Sequence, residues 1–256
     1  MRFKLTLSLV NRNHNVLPLN YQYELSAWIY KVINQGNPVF AEWLHNKGFS
    51  EGNKQFKLFT FSNLMAPQRE IVYDRLIINS DQVSLIISTL PEETIQHFVS
   101  GIFLNREFTL GDRVSQVGFR INSIEGLPIP TFTDEMSFRS LSSIFISEKV
   151  EGCRYAQYHA PDYSGYIHLM INNLKEKIKV YTGLESAFDP QNASLTLLSL
   201  PRQKGITIKA GTLQQSKLVG YQYNYKIKAD AALLRMGYYC GFGEKNSIGF
   251  GCCETL

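Results

Sequence analysis

Gly237-Tyr238-Tyr239-Cys240-Gly241-Phe242-Gly243-Glu244-Lys245-Asn246-Ser247-Ile248-Gly249-Phe250-Gly251 packs five glycines into one stretch, a density found nowhere else in the chain. Residues 230–239, leading into it, read as a helix: Asp230 suits the N-cap, and Leu233, Leu234 and Gly237 share one face. Residues 248–254 alternate as a short strand does. The glycines therefore form a helix-to-strand loop that offers Lys245, Asn246 and Ser247 at its tip. Glycine reaches positive φ and admits a close backbone neighbour, and exposed N–H groups beside a lysine suit an anion such as phosphate. This is not a nucleotide fingerprint. The third glycine of the dinucleotide pattern would fall where Asn246 stands, the order of elements is reversed, and no Gly-Lys-Ser or Gly-Lys-Thr of a P-loop occurs. On spacing alone, a tight loop between packed elements is the plain alternative.

Upstream of the loop, residues 136–147 read as a strand and 162–181 as a helix, with Tyr166, Leu169, Met170, Asn173 and Leu174 on one side. Residues 195–209 and 217–228 read as paired strands. With the closing helix and strand, this half has the order β-α-β-β-α-β. The linker is Gly126-Leu127-Pro128-Ile129-Pro130, and the half before it has the same order. Residues 2–10 alternate Phe3, Leu5, Leu7 and Leu9 against polar neighbours, as a half-buried strand does. Residues 20–34 form a helix with Leu25, Trp28, Ile29, Val32 and Ile33 on its apolar stripe, and Tyr30 lies beside that stripe on the flank it shares with Tyr23. Asn37-Pro38 starts a short helix that turns Phe40, Trp43 and Leu44 inward and His45 outward. Strands at 57–61 and 70–88 (bent or split near 79–81), a helix at 91–104 and extended chain at 107–124 complete the unit. The fold class is α+β: two tandem ferredoxin-like (βαββαβ) domains, 1–125 and 126–256, the second ending in the glycine-rich loop. Such a fold hosts many unrelated functions, so function must come from particular residues.

Composition narrows the classes. Of 256 residues, 44% are hydrophobic and 19% charged, which indicates a folded, core-forming chain. The net charge of +4 is mild but uneven: residues 191–229 hold Arg202, Lys204, Lys209, Lys217, Lys226 and Lys228 and no carboxylate. Cys153, Cys240, Cys252 and Cys253 include no C-x-x-C pair and no zinc spacing, so free thiols in a reducing, cytoplasmic setting are expected. The N-terminus lacks a signal-peptide core and no apolar run is of membrane-spanning length. No acidic cluster suggests Mg²⁺, and neither a metal nor a cofactor is expected. His14 and His97 read as solvated bystanders, while His159 and His168 lack triad partners. His45 remains, with Tyr30 upstream and Lys57 downstream.

The loop Gly241-Phe242-Gly243-Glu244-Lys245-Asn246-Ser247-Ile248-Gly249-Phe250-Gly251 closely resembles the C-terminal glycine-rich loop of the CRISPR-associated endoribonucleases of the RAMP superfamily, which cut precursor CRISPR RNA within its repeats. The run Asn20-Tyr21-Gln22-Tyr23-Glu24-Leu25, then Ile29-Tyr30, Asn37-Pro38, Trp43-Leu44-His45 and Lys57-Leu58-Phe59-Thr60-Phe61-Ser62, resembles their N-terminal part. The resemblance covers nearly the whole chain. It implies an active site of Tyr30, His45 and Lys57, with Lys54 and Lys47 as alternatives for the lysine because the loop 46–56 is long. It also implies metal-independent cleavage by 2′-hydroxyl attack, giving a 2′,3′-cyclic phosphate or 3′-phosphate and a 5′-hydroxyl. Such chemistry needs proton transfer near neutrality, for which imidazole with a reference pKa of about 6.5 is suited, and a cation for the phosphorane charge. Which of His45 and Tyr30 is acid and which is base stays open.

RNA binding is expected mainly from the second half: Arg202, Lys204, Lys209, Lys217, Lys226, Lys228, Gly241, Gly243, Lys245 and Asn246, with Tyr221, Tyr223 and Tyr225 as base-stacking rings. The implied partner is CRISPR repeat RNA. Association with other CRISPR effector subunits or with a second copy of the chain is left open, and a non-catalytic RAMP subunit is the alternative reading.

Overall fold

The computed structural model describes residues 1–52, 54–153, 155–208 and 215–256. In chain order the first half comprises β1 (Arg2–Leu9), β2 (Val16–Pro18), α1 (Gln22–Gly36), α2 (Pro38–Asn46), β3 (Phe49–Glu51), β4 (Lys54–Phe56), β5 (Phe59–Phe61), β6 (Arg69–Val72), β7 (Arg75–Ile78), β8 (Val83–Thr89), α3 (Glu92–Leu104), β9 (Glu107–Gly111) and β10 (Gln116–Gly126). The alternation read in residues 2–10 makes β1 the central strand, antiparallel to β8 on one side and to β10 on the other. The sheet runs β5-β8-β1-β10-β9. With β9 set aside as an appended edge, this is the strand order of a βαββαβ unit. Leu5, Leu7, Leu85, Ile87 and Phe119 from the sheet share one core with Leu25, Ile29, Val32, Phe98 and Ile102 from α1 and α3.

Three details differ from the sequence reading. The strand expected at 57–61 is broken, because Leu58 takes φ +52° and drives its side chain into the core of the second half. The long loop before it is the β3–β4 hairpin. Residues 70–88 split between Ile78 and Val83, where a break was expected, and turn once more at a second left-handed residue, Tyr73: β6 and β7 join β2 in a separate sheet, and only β8 enters the main one. His97 is not a solvated bystander. It is half-buried, within 3.2 Å of the Asn37 side chain, and packs on Phe40, so it ties α3 to the start of α2.

The second half comprises β11 (Glu135–Ser140), β12 (Ser147–Glu148), β13 (Gln157–Tyr158), α4 (Tyr166–Thr182), β14 (Ser194–Leu197), β15 (Arg202–Ile208), β16 (Ser216–Gln222), β17 (Asn224–Lys228), α5 (Ala231–Cys240) and β18 (Cys253–Thr255). Its main sheet, β14-β17-β11-β18, repeats the order of the first. Asp230 caps α5 by accepting from the Ala232 N–H at 2.7 Å. Each long strand read from the sequence is shorter. Pro201, which has no N–H to give a ladder, separates β14 from β15. β14 then pairs with β17, while β15 and β16 form a ribbon whose Ile206 and Leu218 pack on Phe145 and Phe250. The strand expected at 136–147 stops at Ser140, beyond which Ser142 bonds Cys252 through both its backbone N–H and its hydroxyl. The closing strand starts only at Cys253, because Asn246–Ile248 is a 3-10 turn.

The two halves meet along a seam of side-chain-to-backbone bonds. Ser26 donates to the Ser247 carbonyl at 2.7 Å, Thr60 to the Phe250 carbonyl at 2.8 Å and Ser88 to the Tyr238 carbonyl at 3.2 Å. The Arg2 guanidinium lies over the Tyr238 ring, 4.2 Å from its centroid. At Gly249, φ is +89° and a Cβ would sit 2.2 Å from the buried Phe61 ring. Gly249→Ala should therefore cost about 2–4 kcal/mol, combining left-handed strain with overpacking. Gly52→Ala also sits at positive φ but has open space around it, and should cost no more than about 1 kcal/mol. Thermal unfolding of both variants tests this, and equal melting temperatures would mean that Phe61 yields freely.

Candidate active site

α1 carries Ser26 and Tyr30 one turn apart on the side that faces the glycine-rich loop. Tyr30 packs edge-on against His45, with centroids 5.2 Å apart, and against Phe59 at 5.6 Å. Burial pushes its hydroxyl well above the ordinary phenol range, an effect the neighbouring Ser247 side chain tempers. His45 ends α2 on its exposed side. Its Nδ1 stands 3.1 Å from the Asn46 Oδ1, an acceptor, which puts the ring proton on Nδ1 and leaves the Nε2 lone pair free. Lys57 reaches back over Gly48 and donates to the His45 carbonyl at 2.7 Å, and partial burial lowers its pKa. Tyr30, His45 and Lys57 thus meet, although they come from α1, α2 and the β4–β5 connection. Lys54 instead pairs with Glu176 on α4, and Lys47 is the exposed C-cap of α2.

The loop has its own frame. Asn246 is buried and donates its side-chain amide to the Phe250 carbonyl at 2.9 Å and, more weakly, toward that of Phe242. Gly241 and Gly251 wrap this amide closely: a Cβ on either would come within 2.4 and 2.7 Å of its nitrogen. Asn246, Gly241 and Gly243 therefore shape the loop from inside, while Lys245 is exposed at its tip with φ +58°. Lys245 and Ser247 line a cleft of about 670 Å³ between the halves, whose opposite wall holds Lys54 and Lys57 and whose floor is α4. The Tyr30–His45 pair adjoins this cleft through Ser247 and Lys57. Glu244 turns back to accept from the Ser147 N–H and hydroxyl.

Lys177, on α4, was not singled out by the sequence reading. It is 1% exposed and donates to the Gly241 and Gly243 carbonyls at 2.7 and 2.8 Å. The signal was present: a lysine three residues after Leu174 continues the apolar stripe of that helix. Ser26, Asn46 and Ser247 carry no such signal, since each matters only through a partner distant in sequence or through its rotamer.

The other basic residues are dispersed. Arg202, Lys204 and Lys217 are exposed on the β15–β16 ribbon, where the register puts Lys204 opposite Gly220 and Lys217 opposite Thr207, on alternate faces. Lys226 and Lys228 project from the helix-free face of the main sheet, and Lys226 pairs with Glu135. Lys209 lies outside the described residues. Tyr223 and Tyr225, expected to stack bases, are core residues instead. They lie on the inner face under α4 and α5, and the Tyr223 hydroxyl bonds that of Tyr166 at 2.7 Å. Among the described residues, no three His, Cys, Asp or Glu side chains converge as a metal site would require, and no helix is long and apolar enough to cross a membrane.

Comparison with known proteins agrees along the whole chain. The family model for the N-terminal part of CRISPR-associated protein Cas6 matches residues 16–125, and that for its C-terminal part matches 127–255. A CRISPR-associated endoribonuclease Cas6 of Methanocaldococcus jannaschii is 31% identical over 252 residues, covering 97% of this chain and 91% of the relative. A solved structure of a CRISPR-associated protein Cas6 superposes with a TM-score of 0.78 at 30% identity, covering 100% of this chain and 99% of that one. The structure from a Cas6-related gene of Pyrococcus furiosus gives a TM-score of 0.86 at 24% identity, over 100% and 98% of the two chains, and so shares the fold. The chain belongs to the Cas6 family of CRISPR-associated proteins.

Proposed function

We propose that this Cas6-family endoribonuclease cuts the repeats of CRISPR transcripts with the RNA's own 2′-hydroxyl as nucleophile, using Tyr30, His45 and Lys57 and needing no metal ion. The observation that carries the reading is the meeting of these three side chains with Ser247 of the glycine-rich loop at one end of a cleft between the halves. The His45 Nε2 takes the 2′-hydroxyl proton while the 2′-oxygen attacks phosphorus. The bond from phosphorus to the 5′-oxygen breaks, and the departing oxygen takes a proton from Tyr30. Burial keeps that hydroxyl protonated at neutral pH and suits it to a strongly basic leaving group. The Lys57 ammonium opposes the charge that gathers on the equatorial oxygens. The products are a 2′,3′-cyclic phosphate and a 5′-hydroxyl. Lys54 and Lys245 in the cleft, with Arg202, Lys204 and Lys217 on the ribbon, give the RNA backbone a basic track.

Three measurements test this reading. A repeat RNA with a single 2′-deoxy nucleotide 5′ of the cut should bind normally and stay uncut, while the all-ribose RNA is cut in excess EDTA. Cutting of the deoxy substrate would make water the nucleophile. His45→Ala should lower single-turnover cleavage by roughly 10²–10⁴ with affinity nearly unchanged; wild-type rates would make His45 a structural residue and overturn its role in proton transfer. Ser247→Ala keeps the backbone carbonyl that Ser26 bonds but removes the hydroxyl beside Tyr30. It should slow cleavage about tenfold, the worth of one hydrogen bond, without shifting the melting temperature.

A further inference from the structure

Lys177 is the one fully buried lysine among the described residues, and its hydrogen bonds go to two backbone carbonyls. Its ammonium is spent on the carbonyls of Gly241 and Gly243, the first arm of the glycine-rich loop. That arm is also held by the buried Phe242 ring in the core and by the Glu244 carboxylate, which accepts from the Ser147 N–H and hydroxyl. Glu244 donates its N–H to the Phe145 carbonyl and Phe242 to the Gly251 carbonyl. The second arm is held from the first half of the chain, by Ser26 and Thr60, and by the Asn246 amide, whereas Lys177 is the side chain of α4 that bonds the first. Ser26 fixes the Ser247 carbonyl beside Tyr30, and the first arm leads directly into Lys245, so the position of that arm bears on where Lys245 stands relative to the cleft. We propose that Lys177 is a positioning residue for cleavage: it clamps the entry arm of the glycine-rich loop, and its ammonium adds a positive charge beneath the phosphates that occupy the cleft. This rests on the reading that the loop serves the cleavage site.

The second part of the proposal has a consequence in pH. Burial lowers the Lys177 pKa to about 7, against partial support from Cys240, Glu244 and Glu176. The charged and titratable groups around it are Cys240 on α5, Glu244 and Lys245 on the loop, Glu176 on its own helix, and Lys54 and Lys57 across the cleft. A phosphate in the cleft favours the ammonium, so RNA binding above that pH takes up a proton, and affinity declines as pH rises.

The experiment uses hydrogen exchange and binding. Without RNA, amide exchange across residues 240–248 should be roughly tenfold faster in Lys177→Met than in wild type. It should be unchanged in Leu174→Ala, which weakens the same helix through its core face and removes no hydrogen bond to the loop. In a His45→Ala background, which leaves the RNA intact, affinity for repeat RNA should weaken by about three- to tenfold more between pH 6.5 and 8.5 with Lys177 present than with Lys177→Met. Equal exchange in wild type and Lys177→Met, or loop exchange that merely follows global stability in both variants, would overturn the clamp. Identical pH profiles would overturn the charge. Failure of the functional reading would look different: wild type itself would neither bind nor cut repeat RNA, while the exchange comparison would still decide the clamp.

Discussion

The structure depends on one restraint, the seating of the glycine-rich loop in the seam between the two halves. A serine, a threonine and a second serine from α1, β5 and β8 each donate to a carbonyl of the loop or of the helix before it. At Gly249 the loop leaves no room for a side chain against Phe61. Short polar side chains on strands and helices cost little rotamer entropy to fix. Their partners are backbone carbonyls of the loop and of the last turn of α5, where no regular ladder continues, and the Phe250 carbonyl accepts from the Asn246 amide as well. The seam therefore holds position as well as contact. Ser247 reaches Tyr30 because the carbonyl of the same residue is fixed by Ser26, one turn earlier on the helix that carries Tyr30.

Much of the architecture was legible because periodicity reports burial. The stripe of Leu25, Ile29, Val32 and Ile33, the alternation of Leu5 and Leu7, and the capping residues Asn37 and Asp230 all did in three dimensions what they signal locally. Two kinds of feature escaped. Strand limits depended on events that no propensity records, such as Leu58 turning left-handed to fill the other half's core. Tyrosines that alternate along a strand were read for their chemistry, yet alternation alone cannot say which face lies beneath a helix. For Tyr223 and Tyr225 it is the inner face. Within the candidate site, Tyr30 was legible as a tyrosine beside the apolar stripe, whereas His45 and Lys57 gained meaning only from the family pattern. Lys177 broke an apolar stripe and was the clearest local anomaly that went unread.

The cleft also carries its own counter-charge. Lys54 is paired with Glu176 across the gap, and Lys179 lies between Glu51 and Glu185, so the β3–β4 hairpin is tied to α4 by ion pairs. Exposed pairs of this kind contribute little to stability. A polyanion that offers phosphate to Lys54 therefore loses little by displacing Glu176. Lys245, without a carboxylate partner among the described ion pairs, needs no such exchange. On the proposed reading, the free cation at the loop tip engages the backbone first and the paired lysine follows.

Lys177 is the opposite case, a cation removed from water. Its pKa falls from 10.5 to about 7, chiefly through desolvation, a difference on the order of 5 kcal/mol. Between those two pH values the unfolded chain holds the extra proton and the folded chain does not, so this group makes stability rise with pH across that window and costs most below it. What offsets the cost is the pair of carbonyls. Unpartnered in the interior, each would cost on the order of 1–3 kcal/mol, and an apolar side chain of the same length would leave both in that state. An amine can donate two hydrogen bonds whether or not it carries the third proton. The loop's entry arm is therefore held on both sides of neutrality, while the charge beneath it remains free to answer an anion in the cleft.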